Sequence, residues 1–249
     1  MNKLKIGIDI NEVLRAKWLQ FDKFYVQEFG EEGVPKEQPY VYDFFNTYKW
    51  NDRVEIIKEL KEPEDMPDDI NPIHYKIDEN TGEANADIFL FKKNEEIKLS
   101  AKEVYNRFMY EDFTFEIFGS ASMMYKNMDL HVNKFIEKYK NTVDFIIFSK
   151  ENQFSVPSTL FFLSKIRSRF NNYRFVENNG EIWDNVDVFI TTDPEFLQLI
   201  PEGKWVIKLK RPYNENLGND SIISVLQLHD LFENEEFEKL INYIKPIIK

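Results

Sequence analysis

Short, mostly apolar runs alternate along this chain with longer stretches in which apolar residues recur every three or four positions. Five of the runs read as strands: Lys5–Ile10, Val143–Phe148, Tyr173–Val176, Val186–Ile190 and Trp205–Leu209. Near-continuous apolarity, rather than strict alternation, is the pattern of strands covered on both faces of a sheet. Between them the period lengthens. Asp129–Lys140 places Val132, Phe135, Ile136 and Tyr139 on one helical face, with Asp129 as candidate N-cap. Ser155–Phe170 aligns Leu160, Leu163, Ile166 and Phe170, behind a Ser155 cap and with Pro157 in the first turn. Pro194–Leu199 reads as a short helix and Leu228–Ile244 as a closing one. Strands alternating with helices predict parallel βαβ units with right-handed crossovers. The expected fold class is therefore α/β, a doubly wound, mostly parallel sheet built from residues 1–15 and 128–249.

Residues 16–127 break that rhythm and read as an inserted, mixed α+β cap region. Ala16–Phe29 is an aromatic-rich amphipathic helix, Glu31–Pro39 a loop, and Tyr42–Leu60 a helix in two pieces. Lys61–Pro72 is an acidic, proline-containing linker. Ile73–Asp78 and Ala86–Lys92 alternate around Glu79-Asn80-Thr81-Gly82, which predicts a β-hairpin near 73–92. Ser100 and Glu103 form a capping box for a helix to about Tyr110, and Phe113, Phe115 and Phe118 are spaced like a strand. Tyr40, Tyr42, Phe44, Phe45 and Tyr48 read as local core. The surplus of large apolar side chains in this segment is expected to leave a surface for other protein chains.

Charge narrows the partners. The 249 residues carry a net charge of −12. Nucleic-acid binding draws on clustered Lys and Arg that displace counterions, so no direct nucleic-acid contact is expected. The basic strip Lys165-Ile166-Arg167-Ser168-Arg169 reads as a solvated helix face. With no cysteine, disulfides, thiolate catalysis and Cys-based zinc sites are excluded. The first apolar run is interrupted by Asp9, Asn11 and Glu12, and no run approaches the ~20 residues of a spanning helix. The expected location is cytoplasmic or within a virion, neither secreted nor transmembrane. His74, His131 and His229 lack i,i+4 pairing and read as packing or surface residues rather than ligands.

The candidate chemistry sits at strand ends. Gly7-Ile8-Asp9-Ile10-Asn11-Glu12-Val13-Leu14 ends a strand in an acid; Phe145-Ile146-Ile147-Phe148-Ser149 ends one in a hydroxyl; Asp187-Val188-Phe189-Ile190-Thr191-Thr192-Asp193-Pro194-Glu195 ends one in Thr and Asp. In this order the three segments resemble motifs of the haloacid dehalogenase-like (HAD-like) phosphatases. Lys208-Leu209-Lys210-Arg211-Pro212-Tyr213-Asn214 resembles a segment of their 5′-nucleotidase branch. The resemblance implies Asp9 as nucleophile, Ser149 as holder of phosphoryl oxygens, Lys150 or Lys165 as charge-balancing lysine, and Asp9 with Asp193 as Mg²⁺ ligands.

The departures point away from catalysis. Asn11 stands where the family has its general acid, and an amide cannot exchange a proton at neutral pH. Glu12 replaces the usual Gly and crowds the turn, although it is itself an acid. In register, Thr191 and Thr192 take the two acidic positions of the metal motif; a shift of one or two residues gives that role to Asp193. The leading expectation is a degenerate HAD-like scaffold with no cofactor, acting through other protein chains in an oligomeric assembly. The Asn/Lys/Ile/Phe/Tyr-rich, Cys-free composition also resembles proteins of crAss-like tailed bacteriophages, which implies a virion component near the portal or tail collar. The alternative is an active Mg²⁺-dependent phosphatase or 5′-nucleotidase. A phosphorylated-ligand binder without turnover lies between them.

Overall fold

The computed structural model describes residues 3–34, 43–60, 73–77, 84–88, 92–233, 236–244 and 246. In chain order its strands are β1 (Leu4–Asp9), β2 (Arg53–Leu60), β3 (Ile73–Ile77), β4 (Ala84–Ile88), β5 (Lys92–Leu99), β6 (Val143–Ser149), β7 (Tyr173–Phe175), β8 (Val188–Thr191), β9 (Trp205–Leu209) and β10 (Ile222–Val225). The α-helices are α1 (Lys17–Phe29), α2 (Phe44–Thr47), α3 (Ala101–Arg107), α4 (Met128–Tyr139), α5 (Val156–Lys165), α6 (Asn179–Trp183), α7 (Pro194–Gln198), α8 (Leu228–Glu233) and α9 (Glu236–Ile244).

Six strands form one parallel sheet in the order β10-β9-β8-β1-β6-β7. The chain builds outward from β1 through β6 to β7, then returns to the other side of β1 for β8, β9 and β10. This is a Rossmann-like α/β sheet whose strand order reverses between β1 and β8. The two sheet faces are covered unequally. Ile6 and Ile8 of β1 point into a core shared with α4, α5, α8 and α9. Ile146, Phe148 and Phe189 point the other way, against the short helices α6 and α7. Gly7 faces this second side, where a Cβ would come within 2.8 Å of both the Phe189 ring and Val186, so the close fit requires glycine.

By contacts the chain divides into two compact units, residues 1–49 with 105–249, and residues 50–104. The insertion drawn from sequence ran from 16 to 127. Of that range, residues 16–49 and 105–127 fall in the sheet-bearing unit, and their aromatic rings pack on one another. Phe21 of α1 meets Phe44 at 4.4 Å, Tyr48 at 4.8 Å and Phe108 at 5.4 Å between ring centroids. In the smaller unit β2 pairs antiparallel with β5, and β3 with β4. Arg53–Leu60, expected as helix, is thus a strand whose partner lies more than thirty residues on. The expected 73–92 hairpin corresponds to β3 and β4; its turn lies outside the described residues, as do Lys61–Pro72, Tyr40 and Tyr42. The Ser100–Glu103 box is present: Ser100 N–H donates to the Glu103 carboxylate at 2.8 Å.

Phe113, Phe115 and Phe118 do not form a strand. They belong to two π-helical turns, Phe108–Asp112 and Phe115–Gly119, closed by i→i−5 bonds from Phe113 N to Phe108 O (3.1 Å) and from Ser120 N to Phe115 O (2.8 Å). Asn127, in the left-handed conformation (φ 63°), occupies the N-cap position expected for Asp129. Among the described residues no helix is long and apolar enough to cross a membrane.

Candidate functional site

Asp9 and Thr191 end the two strands that flank the reversal, where open α/β sheets form their crevice. Oδ1 of Asp9 accepts the Asn11 backbone N–H at 3.1 Å, and Oδ2 accepts the Thr191 hydroxyl at 2.9 Å. The Thr191 oxygen in turn accepts the Asp193 N–H at 3.0 Å. Asp193 caps α7, its Oδ1 accepting the Glu195 N–H at 2.9 Å, while its Oδ2 lies 3.7 Å from the Lys150 ammonium. Lys150 donates to Glu195 at 2.8 Å and to Asn179 at 2.9 Å. Burial, reinforced by the charge of Asp193, pushes the Asp9 carboxyl up to about 7, against the pull of the Thr191 and Asn11 hydrogen bonds. Burial raises Asp193 as well.

Across β1, at the end of β6, lies a different arrangement. Arg15 is wholly buried, and its guanidinium bonds both oxygens of Glu151 (2.7 and 2.8 Å), the Asn11 side-chain oxygen (2.6 Å), the Thr159 hydroxyl (3.0 Å) and the Phe118 carbonyl (2.9 Å). Glu151 also accepts from the Asn11 amide at 2.8 Å, the Ser149 hydroxyl at 3.0 Å and the Thr159 hydroxyl at 3.1 Å. Burial works to raise Glu151, but Arg15, Lys17 and these bonds outweigh it and hold the carboxyl below its usual range.

Glu12 and Lys17 join the two halves. Glu12 adopts φ 56°, the left-handed conformation that glycine takes without cost. Its carboxylate accepts the Trp18 N–H at 2.8 Å at the start of α1, and burial raises its pKa. The Lys17 ammonium sits 4.9 Å from the Phe44 ring centroid and 3.8 Å from Glu151. Its charge acts on Glu151, Glu12, Asp9 and Asp193 alike, while burial depresses its own pKa. The 208–214 segment secures the crevice rather than lining it with free groups. Asn214 is fully buried and donates to the carbonyls of Thr192 (2.9 Å) and Leu209 (3.1 Å), and Arg211 donates to the Glu12 carbonyl at 3.0 Å.

The structure thus gathers Asp9, Asn11, Ser149, Thr191 and Asp193 around the ends of β1, β6 and β8, with Lys150 beside them. Lys165 lies elsewhere, donating to the Ser120 and Ala121 carbonyls at 2.9 and 2.6 Å. Arg15, Lys17 and Glu151 were not singled out from sequence. Their one signal was charge immediately beside a motif, a pattern usual for solvated turns. His131 and His229 come together across α4 and α8, with ring centroids 4.8 Å apart and Tyr125 against both. The His74 side chain lies outside the described ones.

A Mg²⁺ ion needs near-octahedral oxygen ligands, usually one or two carboxylates and several waters. Here both Asp9 oxygens already accept protein donors, Asp193 is engaged by Glu195 N–H and approached by Lys150, and Lys17 supplies positive charge among the same acids. As arranged, these residues do not fit the metal. Among the described residues no group of three or more His, Asp or Glu side chains could hold one. Nor is there a general acid at Asn11, whose amide is fixed between Arg15 and Glu151. Comparison with protein-family models finds no match for this chain, and comparison with curated proteins finds none either.

Proposed function

We propose that this chain is a catalytically retired relative of the HAD-like phosphatases that works as an interaction scaffold. What carries the reading is the Glu151 carboxylate. It takes the hydroxyl of Ser149, the residue that would hold phosphoryl oxygens, and the amide of Asn11, which stands at the acid position. A carboxylate kept ionised there repels an incoming phosphoryl anion, and the donors that would bind one are already spent. On the other side the Thr191 hydroxyl donates to Asp9 and occupies one of its oxygens.

The scaffold reading places function on contacts with other protein chains, in an oligomeric assembly and without direct nucleic-acid binding. An apolar patch supports it: the Phe115 and Phe161 rings meet at 5.0 Å yet are each 48% exposed, and Phe154 is 63% exposed. Composition adds a narrower suggestion, a structural component of a tailed-phage particle near the portal or tail collar.

The test is Mg²⁺-dependent phosphate release from a panel of nucleotides and sugar phosphates, wild type beside Asp9→Asn. Background release from both is expected. Release that disappears in the variant would overturn the scaffold reading and establish an active phosphatase or 5′-nucleotidase with Asp9 as its nucleophile.

A further inference from the structure

A cavity of about 260 Å³ is lined by the amino-terminal residues of β1 and β6 and by the segment that leads into β7. Its wall carries five cationic side chains, Lys3, Lys5, Lys140, Arg169 and Arg174, against one carboxylate, Asp144. In a chain of net charge −12 this concavity runs against the overall balance. Three of the cations are partly committed. Lys3 lies 3.1 Å from Asp144 and donates to the Lys140 carbonyl, while Lys140 and Arg169 share Glu137 at 2.8 and 3.6 Å. Lys5 and Arg174 have no ion pair or side-chain hydrogen bond to any described residue. Both project from the sheet face that carries Ile146 and Phe148, and both are exposed. Asn171, Asn172 and Asn185 add neutral amides to the wall, and Phe145 and Phe170 add apolar surface.

The geometry points to a binding site for a small, multiply charged phosphate compound of the di- or triphosphate class. Cations spread around one concavity suit a ligand with more than one anionic group, and guanidinium forks match phosphate oxygens. The cavity is smaller than the roughly 300–1,000 Å³ of pockets for drug-sized ligands, which favours a compact anion. The net charge of −12 on the chain as a whole repels an extended polyanion such as a nucleic acid, whereas a low-dielectric concavity focuses its local field on a small one. The site is independent of the crevice at Asp9 and of whether that crevice is active.

Calorimetric titration of the full chain with inorganic pyrophosphate and tripolyphosphate tests this, with citrate and a single-stranded oligonucleotide alongside. Saturable binding of the two phosphate compounds, weakening with salt, is expected. The Lys5→Gln/Arg174→Gln double variant, altered only at exposed side chains, should bind at least about tenfold more weakly. Asp9→Asn, outside the cavity lining, should bind as wild type does. No saturable binding, an affinity unchanged in the double variant or lost in Asp9→Asn, or equal or tighter binding of citrate or the oligonucleotide would each overturn the assignment.

Discussion

The two sides of β1 handle buried charge in opposite ways. On the β6 side, Glu151 and Arg15 form a closed network in which every hydrogen-bonding group of Asn11, Ser149 and Thr159 shown there has a partner. On the β8 side, Asp9 and Asp193 are buried with hydroxyl and backbone donors but without a cation in contact closer than the 3.7 Å of Lys150 to Asp193. The first arrangement holds its acid ionised; the second pushes Asp9 up to about 7. A buried charge is tolerable when paired and costly when not. The β6 side is therefore a closed, mutually compensated network, while the β8 side holds its acids buried at an electrostatic cost.

The largest effect that can test this contrast comes from Arg15→Met, which leaves Glu151 buried without its main partner. A loss of about 3–5 kcal/mol in urea unfolding is expected. Adding Glu151→Met should recover most of it. A loss below about 1 kcal/mol would mean that the network is not structural.

Asp9→Asn should act in the opposite sense. The folded carboxyl titrates near 7 against an ordinary value of 3.8. Between these values the native state binds more protons than the unfolded chain, so stability falls as pH rises through that window. The variant removes this loss. Its stability relative to wild type should rise by on the order of 4 kcal/mol between pH 4 and pH 8. A flat difference across that range would show that Asp9 is as well compensated as Glu151.

Glu12→Gly should have the smallest effect. It relieves a left-handed backbone worth about 1–2 kcal/mol and removes an acid that burial raises, but it also deletes the acceptor for the Trp18 N–H. A net gain of about 0.5–1 kcal/mol at pH 8 is expected by thermal unfolding. A clear loss would show that anchoring α1 outweighs the strain.

The parts of the fold that sequence made legible are those whose signal is local. The runs at β1, β6, β8 and β9 are mostly apolar because most of both sheet faces is covered, and α1 and α4 show clean helical stripes. Ile222–Val225 escaped notice because an edge strand is short and only half buried. Arg53–Leu60 was misread because Val54, Ile56, Ile57 and Leu60 satisfy both periods, and only the distant β5 decides between them. Phe113 and Phe115 are two apart, which imitates alternation, although they fall at the junction of two π-helical turns. For the site, Asp9, Ser149 and Thr191 could be found because strand ends mark positions. Arg15 and Glu151 could not, because 136 residues separate them in the chain and a buried charge is recognisable only with its partner.

The exit and re-entry of residues 50–104 carry an evolutionary consequence. That unit is one continuous stretch, and the chain around it closes on itself through Phe45 and Tyr105, whose rings lie 5.5 Å apart. A stretch whose two ends are already neighbours can be lost, lengthened or exchanged by recombination without moving any strand of the parallel sheet. Selection can then rework this module in one lineage while the parallel sheet drifts at its own pace.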